Sequence, residues 1–173
     1  MDNKSKSQNL LILNNIRSCY NVGACIRICD SLNTGVIFQG ITPYPIIKND
    51  TRLPYIASKT HLKISKSATE SINNVYFNYF ATTTEAIEYV KNNNITLYTL
   101  ETGVKNSYNI FDTNKLRVIR PFALVIGNEK QGVESEYLEF SKACFYIPML
   151  GKNKSLNVST AAAVALYHLV FNS

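Results

Sequence analysis

The stretch LLILNNIRSCYNVGACIRICDSL, residues 10–32, decides the fold class of this chain. It opens with four consecutive apolar residues, which predict a buried strand, and it continues into a polar loop. After the loop, apolar side chains recur at helical spacing, at Val22, Ile26 and Cys29. The stretch therefore predicts a strand, a loop and a helix over residues 22–32, which together form one β-loop-α unit.

The rest of the chain continues this alternation of strands and helices. Apolar runs predict further strands at residues 35–41, 95–101, 121–129 and 144–149. Helical patterns predict a helix capped by Thr83 or Thr84, a short helix over residues 135–141 and a last helix that closes the chain. Strands that are apolar throughout are typical of a sheet buried on both faces. We therefore expect an α/β domain with a mainly parallel sheet covered by helices on both faces.

One region lacks a clear period. Residues 55–79 are rich in Asn, Ser and Lys, and they follow a loop that carries prolines, residues 42–54. We expect loops there, with a short helix near residues 63–71 and a strand at residues 75–77.

Length, charge and termini bound the class of protein. A chain of 173 residues with 46% hydrophobic residues is long enough for one well-packed domain, 1–173, with residues 1–8 as a disordered tail. Lys and Arg number 18 against 12 acidic residues, and the net charge of +6 favours a polyanionic partner. The chain has no apolar run of about 18 residues and no apolar signal segment at its start, so we expect a cytoplasmic protein.

The four cysteines do not form a metal-binding pattern. Cys25 and Cys29 are one helical turn apart, but no His or further Cys stands near them at the spacing of zinc ligands. Cys19 and Cys144 are separated from this pair along the chain. We therefore expect free thiols in a reducing compartment and no bound metal.

Three polar loops follow predicted strands: NNIRSCYNVGACIR, IGNEKQG and IPMLGKNKSLN. In open α/β sheets, ligands bind beyond the carboxyl ends of the strands, which is where these loops lie. None of them contains the glycine pattern of a dinucleotide site or a phosphate-binding loop.

Single residues in these loops also have structural interpretations. Asn21 and Asn157 could cap helices, Arg27 could be a solvated helix cation, and Glu129 could begin a helix. Residues 154–159 are similarly ambiguous, because small polar side chains cap a helix while a helix start can also hold a ligand. The residues alone leave both interpretations open.

In order and spacing, the three loops resemble the three motifs of the SpoU, or TrmH-type, branch of the SPOUT RNA methyltransferases. The matching residues are, in the first motif, Asn21, Gly23 and Arg27; in the second, Gly127, Glu129 and Gly132; and in the third, Ile147, Pro148, Met149, Ser155, Leu156, Asn157 and Ser159. The resemblance extends over residues 10–169 and is weakest in residues 55–79.

The resemblance implies a C-terminal trefoil knot, which departs from the rule that chains avoid knots. It also implies a bent S-adenosylmethionine pocket. The residues implied to bind that cofactor are Leu100, Glu101, Thr102, Gly127, Ile147, Met149 and Leu156. We expect no separate RNA-binding domain.

The implied reaction is transfer of a methyl group to a ribose 2′-hydroxyl of tRNA or rRNA. Arg27 would orient the hydroxyl, stabilise the developing alkoxide or act as the base, and Asn21, Glu129, Ser155 and Asn157 would position the reacting groups. The resemblance further implies a homodimer in which Arg27 approaches the pocket of the neighbouring chain.

Two other functions stay open at this point, namely a base-methylating SPOUT enzyme and a non-catalytic RNA-binding member of the same fold. The intact set of Arg27, Glu129 and Asn157 favours catalysis, and the Ser-Leu-Asn-Val-Ser segment favours ribose. For the RNA contacts outside the motifs, the candidates are Arg17, Arg52, Lys152 and Lys154.

Overall fold

Every neighbouring pair of strands in the central sheet is parallel. The computed structural model describes residues 8–112, 117–128 and 130–172. Within these residues the strands are β1 (Leu10–Asn14), β2 (Gly35–Gln39), β3 (Phe77–Phe80), β4 (Thr96–Leu100), β5 (Tyr108–Asn109), β6 (Phe122–Gly127) and β7 (Ala143–Tyr146). Their order across the sheet is β3-β2-β1-β6-β4-β7-β5, which confirms the predicted parallel α/β fold.

Helices cover both faces of this sheet. The helices are α1 (Cys19–Ser31), α2 (Pro54–Ala68), α3 (Thr83–Asn92), α4 (Ser135–Phe140) and α5 (Val158–Phe171), and a 3₁₀ turn (Thr69–Asn73) follows α2. Alternate residues of β1 enter two different cores: Leu11 and Leu13 pack with α1, α2 and α5, whereas Leu10 and Ile12 pack with α3 and α4. This two-sided burial explains why the strands are apolar throughout.

Helix α1 begins earlier than its apolar spacing predicts. Its cap is Ser18, whose hydroxyl accepts a hydrogen bond of 3.3 Å from the Asn21 N–H, so the alternative of Asn21 as the cap is wrong. Val22, Ile26 and Cys29 are completely buried against the chain's own sheet. The apolar stripe of α1 is therefore used by the internal core.

The structure corrects the prediction for residues 55–79. Helix α2 begins at Pro54, a residue suited to a first helical turn, and not near residue 63. Its buried side chains are Ala57, Ile64 and Ala68, which are too few and too small to give a clear apolar period. The following strand is β3, and it lies later than the predicted residues 75–77.

Helix α3 also has a different cap from the one predicted. Thr82, and not Thr83 or Thr84, has an extended backbone, and its hydroxyl accepts from the Glu85 N–H at 3.3 Å. The Glu85 carboxylate in turn accepts from the Thr82 N–H at 2.9 Å, which completes a capping box. Of three consecutive threonines, the backbone conformation selects the first.

The structure describes only residue 8 of the predicted disordered tail, and it describes all four cysteines. Residues 1–7 of the predicted tail lie outside the described residues, whereas the Gln8 side chain donates to the Asn33 carbonyl at 2.8 Å. The cysteines are free thiols, and burial raises the pKa of Cys25 to about 12 and that of Cys29 well above its usual value. Both thiols are therefore protonated and unreactive at neutral pH.

Two features are absent from the part of the chain that the structure describes. No group of three or more His, Cys, Asp or Glu side chains there is arranged to hold a metal ion. None of the helices there has the length and apolar character needed to cross a membrane. The trefoil knot stays a prediction.

The contact between α1 and α2 gives a first prediction. A Cβ at Gly23 would lie 2.5 Å from the Ile64 carbonyl oxygen and 2.8 Å from the Ala68 nitrogen, and neither backbone atom can move without shifting α2. Gly23→Ala should therefore lower the free energy of unfolding by about 1–3 kcal/mol, although alanine normally favours a helix over glycine. Urea denaturation measures the change.

Gly151→Ala is the matched control, because no heavy atom lies within 4 Å of the added Cβ. It should leave the unfolding midpoint nearly unchanged. A Gly23→Ala protein as stable as the wild type would show that the two helices do not need this close approach.

Candidate functional site

A cavity of about 470 Å³ opens at the carboxyl edge of the sheet. Leu100 at the end of β4, Gly127 at the end of β6 and Tyr146 at the end of β7 contribute to its wall. The segment that leads into α5 closes the opposite side with Ser155 and Leu156. The cavity therefore lies where ligands bind in open α/β sheets.

The residues that the sequence assigned to a cofactor lie together in this wall. The lining includes Leu100, Glu101, Thr102, Gly127, Ile147, Met149 and Leu156, together with Ser155 from the predicted catalytic set. These residues come from three loops that are far apart in the sequence. The parallel sheet brings the loops to one edge.

The Glu101 carboxylate joins two of these loops. One of its oxygens accepts from the Val133 N–H at 2.8 Å, and the other accepts from the Thr102 N–H at 2.8 Å. Gly132 lies beside it with a φ of 70°, and a Cβ at that position would lie 2.3 Å from the carboxylate. The backbone conformation therefore favours glycine, and the missing Cβ leaves room for the Glu101 carboxylate.

The loop after β6 is a tight turn held by Asn128. The Asn128 Oδ1 accepts from the Lys130 N–H at 2.9 Å and from the Gln131 N–H at 2.8 Å. The Gly132 N–H donates to the Asn128 carbonyl at 2.9 Å, and a Cβ at Gly127 would collide with the Gly132 carbonyl group at 2.1 Å. The two glycines of the second motif thus allow the turn to close.

Glu129, the predicted catalytic residue of this loop, lies outside the described residues.

Asn157 connects the first and third motifs. It caps α5, because its Oδ1 accepts from the Ser159 N–H at 2.9 Å and from the Ser159 hydroxyl at 2.7 Å. Its Nδ2 also donates to the Asn21 Oδ1 at 3.2 Å. The polar segment before α5 therefore serves both purposes: Asn157 caps the helix, while Ser155 and Leu156 line the cavity.

Arg27 is separate from this group. It is exposed on α1 and does not line the cavity, and Asn21 and Asn157 do not line it either. The structure brings Asn21 and Asn157 together, and it brings Ser155 to the cofactor-type residues. It leaves the Arg27 guanidinium facing outward from its own chain.

The four cations proposed for RNA contact have different surroundings. Lys154 lines the cavity, and Arg17 and Lys152 are exposed. Arg52 is only 16% exposed: it forms a salt bridge of 2.5 Å with Asp50 and donates to the Tyr44 and Pro45 carbonyls. The hydrogen bond from Arg52 lowers the pKa of Asp50. The guanidinium therefore organises its own loop, and a contact of Arg52 with RNA stays a prediction.

A polar network that the sequence did not reveal lies at the ends of β1 and β2. Asn14 is completely buried; its Oδ1 accepts from the Glu134 N–H at 3.0 Å, and its Nδ2 donates to the Glu134 carboxylate at 3.2 Å. Asn15 donates to the same carboxylate at 2.8 Å, and the Thr83 hydroxyl donates to it as well. The only sequence signal is a pair of asparagines directly after an apolar strand.

Several cavity residues were also missed, among them Lys130, Gln131 and Tyr146. Lys130 and Gln131 lie inside the second motif, between its two glycines. Tyr146 is the last residue of β7. Their position directly after or at the end of a strand was the available signal.

The chain resembles known proteins over most of its length. The sequence profile of the SpoU rRNA methylase family matches residues 8–167. A 23S rRNA (guanosine-2′-O-)-methyltransferase of Blochmanniella floridana is 29% identical over 161 residues, which are 93% of this chain and 56% of that protein. A tRNA (guanosine(18)-2′-O)-methyltransferase of Thermus thermophilus is 27% identical over 157 residues, 91% of this chain and 71% of the relative.

A solved structure shares the fold. The SpoU methyltransferase AviRb from Streptomyces viridochromogenes, in complex with the cofactor AdoMet, superposes with a TM-score of 0.76 at 23% identity. The match covers 96% of this chain and 58% of that one, so this chain spans little more than half of AviRb's length.

The Glu134 network gives a second prediction. Glu134→Ala removes the acceptor shared by Asn14, Asn15 and Thr83, and it should lower the free energy of unfolding by about 1–2 kcal/mol. Thermal or urea unfolding measures the loss. Glu136→Ala, which removes an exposed carboxylate from helix α4 two residues after Glu134, should change stability by less than about 0.5 kcal/mol. Equal effects of the two substitutions would contradict the role of the network.

Proposed function

Because the chain belongs to the SpoU rRNA methylase family, we propose that it transfers a methyl group from S-adenosylmethionine to a ribose 2′-hydroxyl of RNA. The observation that carries this proposal is the cavity whose wall combines the loops after β4, β6 and β7. The two relatives described above are named for ribose methylation of 23S rRNA and of tRNA, which supports an RNA substrate of either class. We also propose that the protein works in the cytoplasm, where tRNA and rRNA are abundant.

The lining of the cavity suits S-adenosylmethionine. A volume of about 470 Å³ falls within the range of about 300–1,000 Å³ that is usual for small-molecule sites. Leu100, Ile126 and Leu156 offer apolar surface for the faces of an adenine ring, while Glu101 and Ser155 offer polar atoms for its ribose and amino-acid groups. S-adenosylmethionine supplies a methyl group bonded to a positively charged sulfur, which makes the methyl carbon electrophilic.

The residues of the chain then have to prepare the RNA hydroxyl. A 2′-hydroxyl is a poor nucleophile, so it must be held in line with the methyl group and lose its proton as the new carbon–oxygen bond forms. Arg27 is proposed to orient that oxygen and to stabilise its developing negative charge, because a guanidinium is nearly always protonated. Glu129, Ser155, Asn21 and Asn157 are proposed to position the reacting groups.

A homodimer is part of this proposal. Arg27 is exposed and lies outside its own cavity wall, so a second copy of the chain would allow it to serve the neighbouring cavity. Tyr167 and Phe171 are exposed on the adjacent α5, and the Tyr167 hydroxyl lies 3.1 Å from the Ser31 hydroxyl of α1. The outer surface of these two helices therefore carries aromatic side chains beside Arg27. Twofold pairing is the commonest geometry of homo-oligomers.

The third prediction tests the activity. Incubation of unmodified RNA with methyl-labelled S-adenosylmethionine and this protein should place label in 2′-O-methylnucleosides after digestion of the RNA. Leu156→Ala removes apolar cavity wall and should weaken S-adenosylmethionine binding about fivefold or more, equivalent to ~1 kcal/mol.

Leu150→Ala is its matched control, because Leu150 lies in the same loop but is completely exposed. This control should bind S-adenosylmethionine as the wild type does. Label found only in methylated bases would reject ribose as the acceptor, and a wild-type protein that does not bind S-adenosylmethionine would reject the function.

The fourth prediction tests the shared site. Arg27→Ala and Asn157→Ala homodimers should each be nearly inactive. Heterodimers formed by refolding the two variants together should recover activity, because one site then receives Arg27 from one chain and Asn157 from the other. Native mass spectrometry verifies the heterodimer. An inactive mixture with verified heterodimers would show that Arg27 serves the cavity of its own chain or does not act as proposed.

A further inference from the structure

Helix α2 presents an unusual outer face. With successive residues turning by about 100°, Tyr55, Ile56, Lys59, Leu62 and Lys63 fall on one arc of about 120°. All five are exposed, and Tyr55 retains 73% of its accessible surface. We call these five residues the α2 outer face. Large exposed apolar side chains grouped in this way mark an interaction surface.

The charge of α2 indicates the sign of the partner. Between Pro54 and Ala68 the helix has three lysines, at positions 59, 63 and 66, and it has no Asp or Glu. The Lys59 Nζ lies 5.6 Å from the centre of the Tyr55 ring, so a cation and an aromatic ring stand side by side. This combination is complementary to a polyanion that also carries flat rings.

The position of α2 relates this face to the cavity. Strands β2 and β3 are parallel, so α2 must run back across the sheet and begin at the carboxyl edge. The same edge holds the cavity and the loop after β1. Tyr55, in the first turn of α2, therefore lies at the same carboxyl edge as the cavity but on the side of β2 and β3, and the lysines extend away from that edge.

The loop before α2 is fixed in a way that keeps apolar side chains exposed. The Arg52 guanidinium lies 3.6 Å over the Tyr44 ring, which stacks on Tyr79 at 4.2 Å. The Ile46 N–H donates to the His61 Nδ1 at 3.3 Å, which attaches the loop to α2. Leu53 remains 69% exposed directly before the helix. The surface is thus organised before any partner binds, which lowers the entropic cost of binding.

We propose that the α2 outer face binds a single-stranded segment of the substrate RNA, with a base against Tyr55 and phosphates near Lys59 and Lys63. Exposed aromatic rings beside basic side chains are the usual surface for single-stranded nucleic acid. Lysine is depleted in protein–protein interfaces, which makes a protein partner a poorer match for this face. The proposal rests on the proposed function only in taking RNA as the substrate.

Two double variants with the same loss of charge test the face. Lys59→Gln with Lys63→Gln changes it, whereas Lys91→Gln with Lys142→Gln changes exposed lysines at the opposite, amino edge of the sheet. Binding of a fluorescein-labelled oligouridine and of an unmodified tRNA transcript is measured over a range of salt concentrations. The first double variant should make the negative slope of log affinity against log salt less steep by about 1.4 for oligouridine, since each phosphate contact contributes about −0.7. The second should leave it unchanged.

Tyr55 is tested separately. Tyr55→Ala should weaken oligouridine binding about fivefold or more, the equivalent of ~1 kcal/mol of base stacking, whereas Tyr55→Phe keeps the ring and should bind as the wild type does. Because Tyr55, Lys59 and Lys63 are exposed, their variants should keep the wild-type melting temperature. The control pair is compared at its own melting temperature, because Lys91→Gln removes a contact of 4.4 Å between the Lys91 Nζ and the centre of the Phe140 ring.

Three results would overturn the proposal. Equal losses of RNA affinity in the two double variants would assign RNA binding to net charge. A wild-type protein that binds neither RNA at low salt would show that the α2 outer face is not an RNA-binding surface. If the variants of the α2 outer face bind RNA with unchanged affinity but show altered self-association in sedimentation, the face would be assigned to contact with a second copy of this chain. S-adenosylmethionine binding is measured on the same samples, so loss of RNA binding is distinguished from failure of the proposed methyl transfer.

Discussion

Parallel pairing of β4 with both β6 and β7 is the constraint on which the site depends. Parallel neighbouring strands end at the same edge of the sheet. The loops that follow β4, β6 and β7 therefore all begin at that edge. The Glu101 carboxylate then holds the loop after β4 against the loop after β6 through the Val133 N–H. Gly127 and Gly132 make that approach possible because neither carries a side chain. The cavity is the space left between the loops after these three strands and the segment before α5.

Helix α1 lies between α2 and α5 on one face of the sheet and contacts both helices. Towards α2 it offers Gly23, whose missing side chain admits the backbone of the neighbouring helix. Towards α5 it offers Asn21, which bonds to the residue that caps that helix, Asn157. Polar residues that the resemblance associates with catalysis thus also have structural roles. A substitution at Asn157 changes a helix cap and an inter-motif contact at once, so stability and activity have to be measured together.

The distribution of cations shows that position matters more than number. Arg52 is held by Asp50 and by carbonyl groups of its own loop, and its contribution is to organise that loop. Lys59 and Lys63 are exposed along a helix with no acidic residue. A net charge of +6 gives no means of telling these two situations apart. The difference arises from hydrogen bonds that only the folded loop contains.

The sequence by itself determined the α/β class and the strands of the central sheet, with the exception of the short β5 and of β3, which begins later than predicted. It also located the second and third motif loops, whose residues line the cavity, whereas the first motif loop does not line it. The sequence did so because a buried strand is apolar along its whole length and because the motif residues follow those strands directly. Only the tertiary structure decided the start of α2, the choice of Ser18 and Thr82 as caps, and the network of Asn14 with Glu134. The buried residues of α2 are too sparse to give a period, a cap is chosen by backbone conformation among similar polar residues, and Asn14 and Glu134 are 120 positions apart. Periodicity reports which side chains are buried, whereas polar partners distant in the sequence are chosen by the folded chain.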